Sequence, residues 1–308
     1  MSRTQAVKPA VNPYARGGLR AAWRKLSRNK LATFCFILLV LEVLVLALAP
    51  VLTAFGPEDT DVASRLAPGF WAKWGKNPVD AMKYKPIHPL GTDHLGRDML
   101  SRLLYGGRTS LLVGLTSTCM GLFWGVLFGM LAGYYKRLDN IIMRVMDLLF
   151  TFPGILLAML IVAMLGSSTF NATMAISIWS VPSFARMVRS RVLQVREEDY
   201  IMAIRSLGSS DARILTRHVF HNTLPIIIVI ATMRMGSSLI SISTLSYLGM
   251  GVPAPAPEWG GLIATGKNYL WQRPSLIVLP GLMVMLTVIC LNILGDKLRD
   301  ILDPALKS

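Results

Sequence analysis

The residues of this 308-residue chain that could do chemistry are few and scattered. Its four histidines, His88, His94, His218 and His221, all lie in polar stretches between apolar runs. His218 and His221 are three apart at helical spacing and could offer two metal ligands. A closed metal site takes about four donors, and the surroundings here are basic, so no metal is expected. The chain has no H-E-x-x-H, no G-x-S-x-G and no carboxylate pair at useful spacing in an apolar run, so no catalytic residue is assigned. It also has no G-x-x-x-x-G-K-[ST] phosphate loop, and therefore cannot use ATP through that motif. Cys35, Cys119 and Cys290 sit far apart within apolar runs, without ligand spacing, and read as small buried hydrophobes.

Four ionisable residues, Glu42, Arg144, Asp147 and Arg234, also fall within apolar runs. Such groups are costly in lipid and face a partner or a water-filled path. Arg144 and Asp147 are three apart, share a helix face and can pair with each other. Arg234 lies about 16 Å beyond Thr223 at about 1.5 Å per residue, near the middle of its run. With Met233 and Ser237 beside it, Arg234 could line a path and attract an anionic group such as a peptide carboxylate. Alternatively it pairs with Glu42 or with an acid on another chain.

The elements that must position these groups are membrane spans. The chain is 53% hydrophobic and 16% charged, well below the quarter charged of soluble domains. Crossing about 30 Å of hydrocarbon takes about 20 residues. Six runs qualify, at 31–54, 109–133, 141–165, 171–190, 223–247 and 275–295, giving an all-α polytopic membrane protein. The fourth is weakest, because Arg186 and Arg189 shorten it and Pro182 should kink it. The first is long enough to span and has no persuasive cleavage site, so it reads as an uncleaved helix.

The net charge of +15 is topological rather than a nucleic-acid footprint. Basic residues cluster at Arg3, Lys8, Arg16, Arg20, Arg24, Lys25, Arg28 and Lys30, and again at Arg186, Arg189, Arg191, Arg196, Arg205, Arg213 and Arg217. Links 166–170 and 248–257 have no Lys or Arg. Placing both clusters inside satisfies the positive-inside rule. The expected organisation is a cytosolic tail (1–30), a first span (31–54), an external segment (55–108), a core of about five spans (109–296) containing a cytosolic loop (191–222), and a cytosolic C-terminal tail (297–308). The prolines of the external segment favour extended turns. RDMLSRLLYGGRTSLL, after Gly96, reads as an amphipathic helix lying along the outer face. Glu258 and Trp259 read as an interfacial anchor or an outer lip. Gly121, Gly125, Gly129 and Gly133 form one smooth helical stripe for close packing, within the chain or against another subunit.

Between Tyr200 and Pro225 lies a polar stretch with helical spacing on both sides of Gly208. Tyr200, Ile201, Ile204 and Leu207 form one stripe and Ile214, Leu215, Val219 and Phe220 another. Gly208 can take φ > 0, and Ser209 or Ser210 can cap a second helix with Asp211 in its first turn. Two short helices hinged in this way could insert into a groove on another protein or simply lie on the surface as a connector.

Around Ala203 and Gly208 this stretch resembles the EAA loop of bacterial ABC importer permeases. GTDHLGRDMLSRLLYGGRTSL (91–111), IMRVMDLLFTFPGILLA (142–158), YLGMGVPAPAPEWG (247–260) and LNILGDKLRDILDPALK (291–307) extend the resemblance to the dipeptide/oligopeptide/nickel permeases, in particular the subunit with a long external loop. The chain departs from the EAA signature at Met202 and Ile204, and His221 stands where many such permeases have proline.

The resemblance implies a non-catalytic inner-membrane subunit with both termini cytosolic. A second permease would complete the path, two ATP-binding subunits (holding ATP and Mg) would dock beneath, and an extracytoplasmic binding protein would deliver substrate. Ala203, Arg205, Ser206, Leu207, Gly208, Ser209 and Asp211 are the implied docking residues. Dipeptides, oligopeptides or glutathione are the expected cargo, with nickel complexes or other small solutes as the alternative. A secondary transporter would instead show an inverted repeat and a midplane coupling carboxylate; Glu42 is the one early-span acid and no repeat is evident.

Overall fold

The computed structural model describes residues 27, 29–74 and 78–302. The N-terminal basic cluster, apart from Lys30, lies outside the described residues, as do 303–308 of the expected C-terminal tail. The principal helices are α1 (Lys30–Ala47), α2 (Met99–Tyr134), α3 (Lys136–Phe150), α4 (Gly154–Leu165), α5 (Thr169–Arg196), α6 (Asp199–Ser206), α7 (Asp211–Tyr247), α8 (Trp259–Gly266) and α9 (Ser275–Leu302). Among the described residues the fold is all-α, with isolated β-bridges only. By length and hydropathy, α1, α2, α7 and α9 can each cross a membrane, and α3 with α4 makes a fifth if that bent pair counts as one span. α5 is 28 residues long, and its arginines keep it out of that set.

The centre of the bundle is the contact between α2 and α5. α2 has 36 residues and no proline, which makes it a rod of about 54 Å. A Cβ on Gly121 would lie 1.9 Å from Ser180 Oγ, one on Gly125 2.2 Å from Phe184 Cβ, one on Gly129 2.6 Å from the Ala185 carbonyl oxygen, and one on Gly133 2.7 Å from Val192 Cβ. The stripe is thus covered by α5 of the same chain. Phe184, Ala185, Val188 and Val192 are fully buried against it. α7 joins α2 nearer its N-terminus, where Thr118 Oγ1 donates to Ser238 Oγ at 3.1 Å. α1 packs on α9 through Ala32, Cys35, Cys290 and Leu294. Cys35 and Cys290 are buried as expected; Cys119 is exposed on α2.

The run 141–165 is not one straight helix. α3 and α4 meet at 87° across Thr151, Phe152 and Pro153, because proline cannot continue α3. Arg144 and Asp147 do not pair with each other. Arg186 of α5 takes Asp147 at 2.8 Å and lies 4.1 Å over the Phe150 ring, while Arg189 grips Asp139 at 2.5 and 2.6 Å. Two arginines that make α5 a poor lipid-facing helix therefore bind it to α3. Serine caps the next turn: Ser168 Oγ accepts from the Asn171 amide at 3.0 Å, and Asn171 Nδ2 donates back to the Leu165 and Gly166 carbonyls.

Segment 53–98 folds onto the start of α2. Asp93 is its centre: Oδ1 accepts from the Leu95 and Arg97 amides, Oδ2 accepts from Arg97 Nε at 2.7 Å, and Arg102 Nε lies 3.5 Å from Oδ2. Gly96 closes this knot at φ +81, where any Cβ would strike the Asp61 carbonyl oxygen. Asp98 caps α2 through the Ser101 amide at 2.8 Å and holds His88 Nδ1 at 3.0 Å. RDMLSRLLYGGRTSLL is therefore not a separate surface helix. Its residues from Met99 onward are the first turns of α2, with Arg102, Leu103 and Leu104 buried.

Glu258 and Trp259 are neither lip nor interfacial anchor, since both are buried. Glu258 accepts from Ser110 Oγ and from the Gly260 and Gly261 amides, capping α8, and Trp259 Nε1 donates to the Leu103 carbonyl at 2.9 Å. Together they staple α8 to α2.

Gly125→Leu should force α2 from α5 and destabilise the fold by about 3 kcal/mol. Gly281→Ala, where a Cβ meets nothing within 4 Å, should be near neutral; thermal unfolding of both in detergent checks this.

His94 stacks on Tyr269 with ring centroids 5.3 Å apart. Burial lowers its pKa, Asp93 opposes, and Arg97, Arg102 and Arg65 lower it further. The folded state therefore resists protonation more than the unfolded chain, whose histidine titrates near about 6.5. Stability is full above that value and is lost as pH falls through the folded pKa. Hydrogen exchange of segment 53–98, corrected for intrinsic rate, should accelerate from pH 7.5 to 5, and His94→Gln should flatten the profile.

Candidate functional site

The polar stretch at 197–213 forms a knob at the end of the bundle opposite segment 53–98. α6 ends at Ser206 with Leu207 as its cap, and Gly208 turns the chain at φ +83. The Ser209 amide donates to the Ile204 carbonyl and the Gly208 amide to the Arg205 carbonyl, the paired bonds of a left-handed glycine cap. A side chain at Gly208 would meet nothing within 4 Å, so backbone conformation, not space, selects glycine.

The expected second short helix is absent as a separate element. Ser210 precedes it without a side-chain cap bond, and Asp211 begins α7, which runs on to Tyr247. A π-helical turn at Ile214–Val219 lies between the knob and the rest of α7.

Apart from Leu207, the two apolar stripes point inward. Ile201, Ile214 and Val219 are fully buried with Val188, Val192 and Val195, and Tyr200, Ile204 and Phe220 pack on them. Tyr200 also accepts a hydrogen bond from Asn222 Nδ2 at 2.8 Å. The outer surface of the knob is made by Ala203, Arg205, Ser206, Leu207, Gly208 and Asp211, all exposed, with Ser209 half-buried. Leu207 is 86% exposed at the tip, and Met202 is exposed beside it. An apolar tip on a base fixed to its own bundle suits contact with another protein.

The base is fixed by polar groups that sequence spacing does not reveal. Tyr134, the last residue of α2, is buried and donates its hydroxyl to Asp211 Oδ1 at 2.5 Å. Arg205 Nη2 donates to the same Tyr134 oxygen at 3.0 Å. Arg196, ending α5, donates to the Gly133 and Tyr134 carbonyls at 3.2 and 3.1 Å. These partners are 62 to 77 residues apart in sequence; only the Tyr134–Tyr135 pair closing an apolar run hints at them.

Arg234, Met233 and Ser237 stand midway along α7. Ser237 is exposed, while Arg234 and Met233 are half-buried. Met233 leans on α9, where a Cβ on Gly295 would lie 2.6 Å from its Cγ. Arg234 forms no ion pair among the described residues. Glu42 does not reach it and instead accepts from Thr287 Oγ1 at 2.5 Å on α9. A wholly apolar groove of about 450 Å³ opens elsewhere, between α2, α3 and α5, lined by Trp124, Phe128, Ile141, Val145, Met146 and Ile178. The three residues do not line it. No group of three or more His, Cys, Asp or Glu that could hold a metal occurs among the described residues.

Known proteins share this architecture and sequence. A solved inward-facing structure of the MetNI methionine ABC transporter superposes with a TM-score of 0.55 at 18% identity, over 67% of this chain and 98% of that one, a likeness of fold. The dipeptide transport system permease protein DppC of Alkalihalophilus pseudofirmus is 39% identical over 97% of this chain and 92% of its own length. The glutathione transport system permease protein GsiD of Pectobacterium atrosepticum is 43% identical over 79% and 84%. Residues 19–68 match the N-terminal TM domain of oligopeptide transport permease C. Residues 125–308 match the binding-protein-dependent transport system inner membrane component, and the chain belongs to that family of ABC importer permeases.

Proposed function

We propose that this permease forms one half of a path for peptides, of dipeptide, oligopeptide or glutathione type, completed by a second permease and driven by two ATP-binding subunits. The peptide and glutathione permeases among its relatives support the cargo. The observation that carries the docking assignment is the Gly208 knob, with an exposed apolar tip at Leu207 and a buried base. Both termini and the knob lie in the cytosol in this arrangement, and segment 55–98 faces the binding protein outside. The exposed apolar face of α3, carrying Ile141, Val145 and Leu148, offers the second permease a surface to cover.

ATP and Mg act on the ATP-binding subunits. Closure of that pair carries the knob inward, the helices tilt between outward- and inward-open arrangements, and peptide passes from binding protein to path. Arg234, half-buried and without an ion pair among the described residues, would meet the peptide carboxylate there.

The test is co-purification of the tagged chain with its neighbours. Leu207→Asp removes the apolar tip without touching the backbone. Gly208→Glu adds a strained left-handed residue costing about 1–2 kcal/mol. Both should lose the ATP-binding subunits while inserting normally; retention with undiminished uptake would overturn the docking assignment. Arg234→Ala should slow uptake at limiting peptide about tenfold, and normal uptake there would remove Arg234 from the path.

A further inference from the structure

Besides its short covalent link to α5 and its apolar base, the knob is joined to the bundle in two mechanically different ways. Toward α7 the joint is covalent but passes through the π-helical turn Ile214–Val219. A π turn widens the helix and interrupts the regular hydrogen-bond ladder, so it is a compliant joint. Toward α2 the polar joint is made of side chains at one point, beside the apolar packing of Ile201 and Ile214 in the cluster that holds Met130. The Tyr134 hydroxyl donates to Asp211 on one side of Gly208 and accepts from Arg205 on the other. The Arg205 guanidinium also lies 5.6 Å from the Tyr134 ring centroid and 4.0 Å from Asp211 Oδ1. Arg196 holds the backbone carbonyls of the same helix end.

We propose that Tyr134 is the positioning residue that ties displacement of the knob to α2, keeping α2 in step with α5, to which the knob is directly linked, while the π turn lets α7 follow separately. One hydroxyl bonded to residues on both sides of the glycine turn fixes the turn as a unit. Without that hydroxyl, Asp211 and Arg205 remain on the exposed surface, where water can satisfy them. The knob would then stay folded on Ile201 and Ile214 and still present Leu207. What it would lose is the polar tie that fixes the glycine turn to the end of α2. The inference rests on the docking role of the knob, and the experiment keeps the two separable.

Tyr134→Phe keeps the ring and removes the hydroxyl. In the reconstituted complex, three quantities are read: ATP-binding subunits retained, ATP hydrolysed, and peptide taken up per ATP. The expected result is full retention, hydrolysis within about twofold, and uptake per ATP down about tenfold, the scale of losing hydrogen bonds to charged groups. Unchanged uptake per ATP in Tyr134→Phe would overturn the latch. Loss of ATP-binding subunits from Leu207→Asp alongside unchanged uptake per ATP in Tyr134→Phe would sink the latch and keep the docking role. A wild-type complex that holds no ATP-binding subunit would sink both.

Discussion

The approach of α2 to α5 sets the geometry of everything else in this permease. Four glycines, one turn apart, bring two backbones so near that the carbonyl of Ala185 and the Cβ of Phe184 occupy the places where side chains would stand. Lipid tails are as apolar as leucine, so helices associate in a membrane through close packing rather than expulsion of water. This contact supplies that packing along most of α5. α3 is then added by Arg186 and Arg189, and α7 by the Thr118–Ser238 hydroxyl pair. The knob sits where the two glycine-packed helices end together, at Tyr134 and Arg196.

Much of this was legible in sequence because it rests on local periodicity. The glycine stripe, the apolar runs and the Gly208 turn each follow from a repeat or a single permissive residue. The break at Thr151–Pro153 was signalled by proline, yet the apolar character on both sides made 141–165 look like one span. α7 shows the converse: polar residues at 211–219 looked like a separate short helix, although nothing there stops helix propagation, so it continues. Composition changed at that point, and the helix ran on through a π turn instead of ending.

The polar contacts were hidden for a different reason. Asp147 has an arginine three residues away, and spacing alone paired them; the bundle instead brings in Arg186 from 39 residues further on. Glu258 beside Trp259 looked like an interfacial turn because its partner, Ser110, is 148 residues distant. Tyr134, Asp211 and Arg205 are brought together only once α2 and α7 are packed. Helix periodicity predicts which face is buried, not which distant hydroxyl or carboxylate that face meets.

The uninterrupted length of α2 has thermodynamic weight of its own. One end is set in the Asp93 knot and the Glu258 staple, the other in the Tyr134 contacts, and no proline between them absorbs a relative displacement. A perturbation that favours one disposition of this rod at either end therefore favours the same disposition at the other. Linkage then makes the influence mutual. Any effect that a molecule bound against segment 53–98 has on binding at the knob is matched by an equal factor in the other direction, with the sign set by whether both prefer the same disposition of one helix.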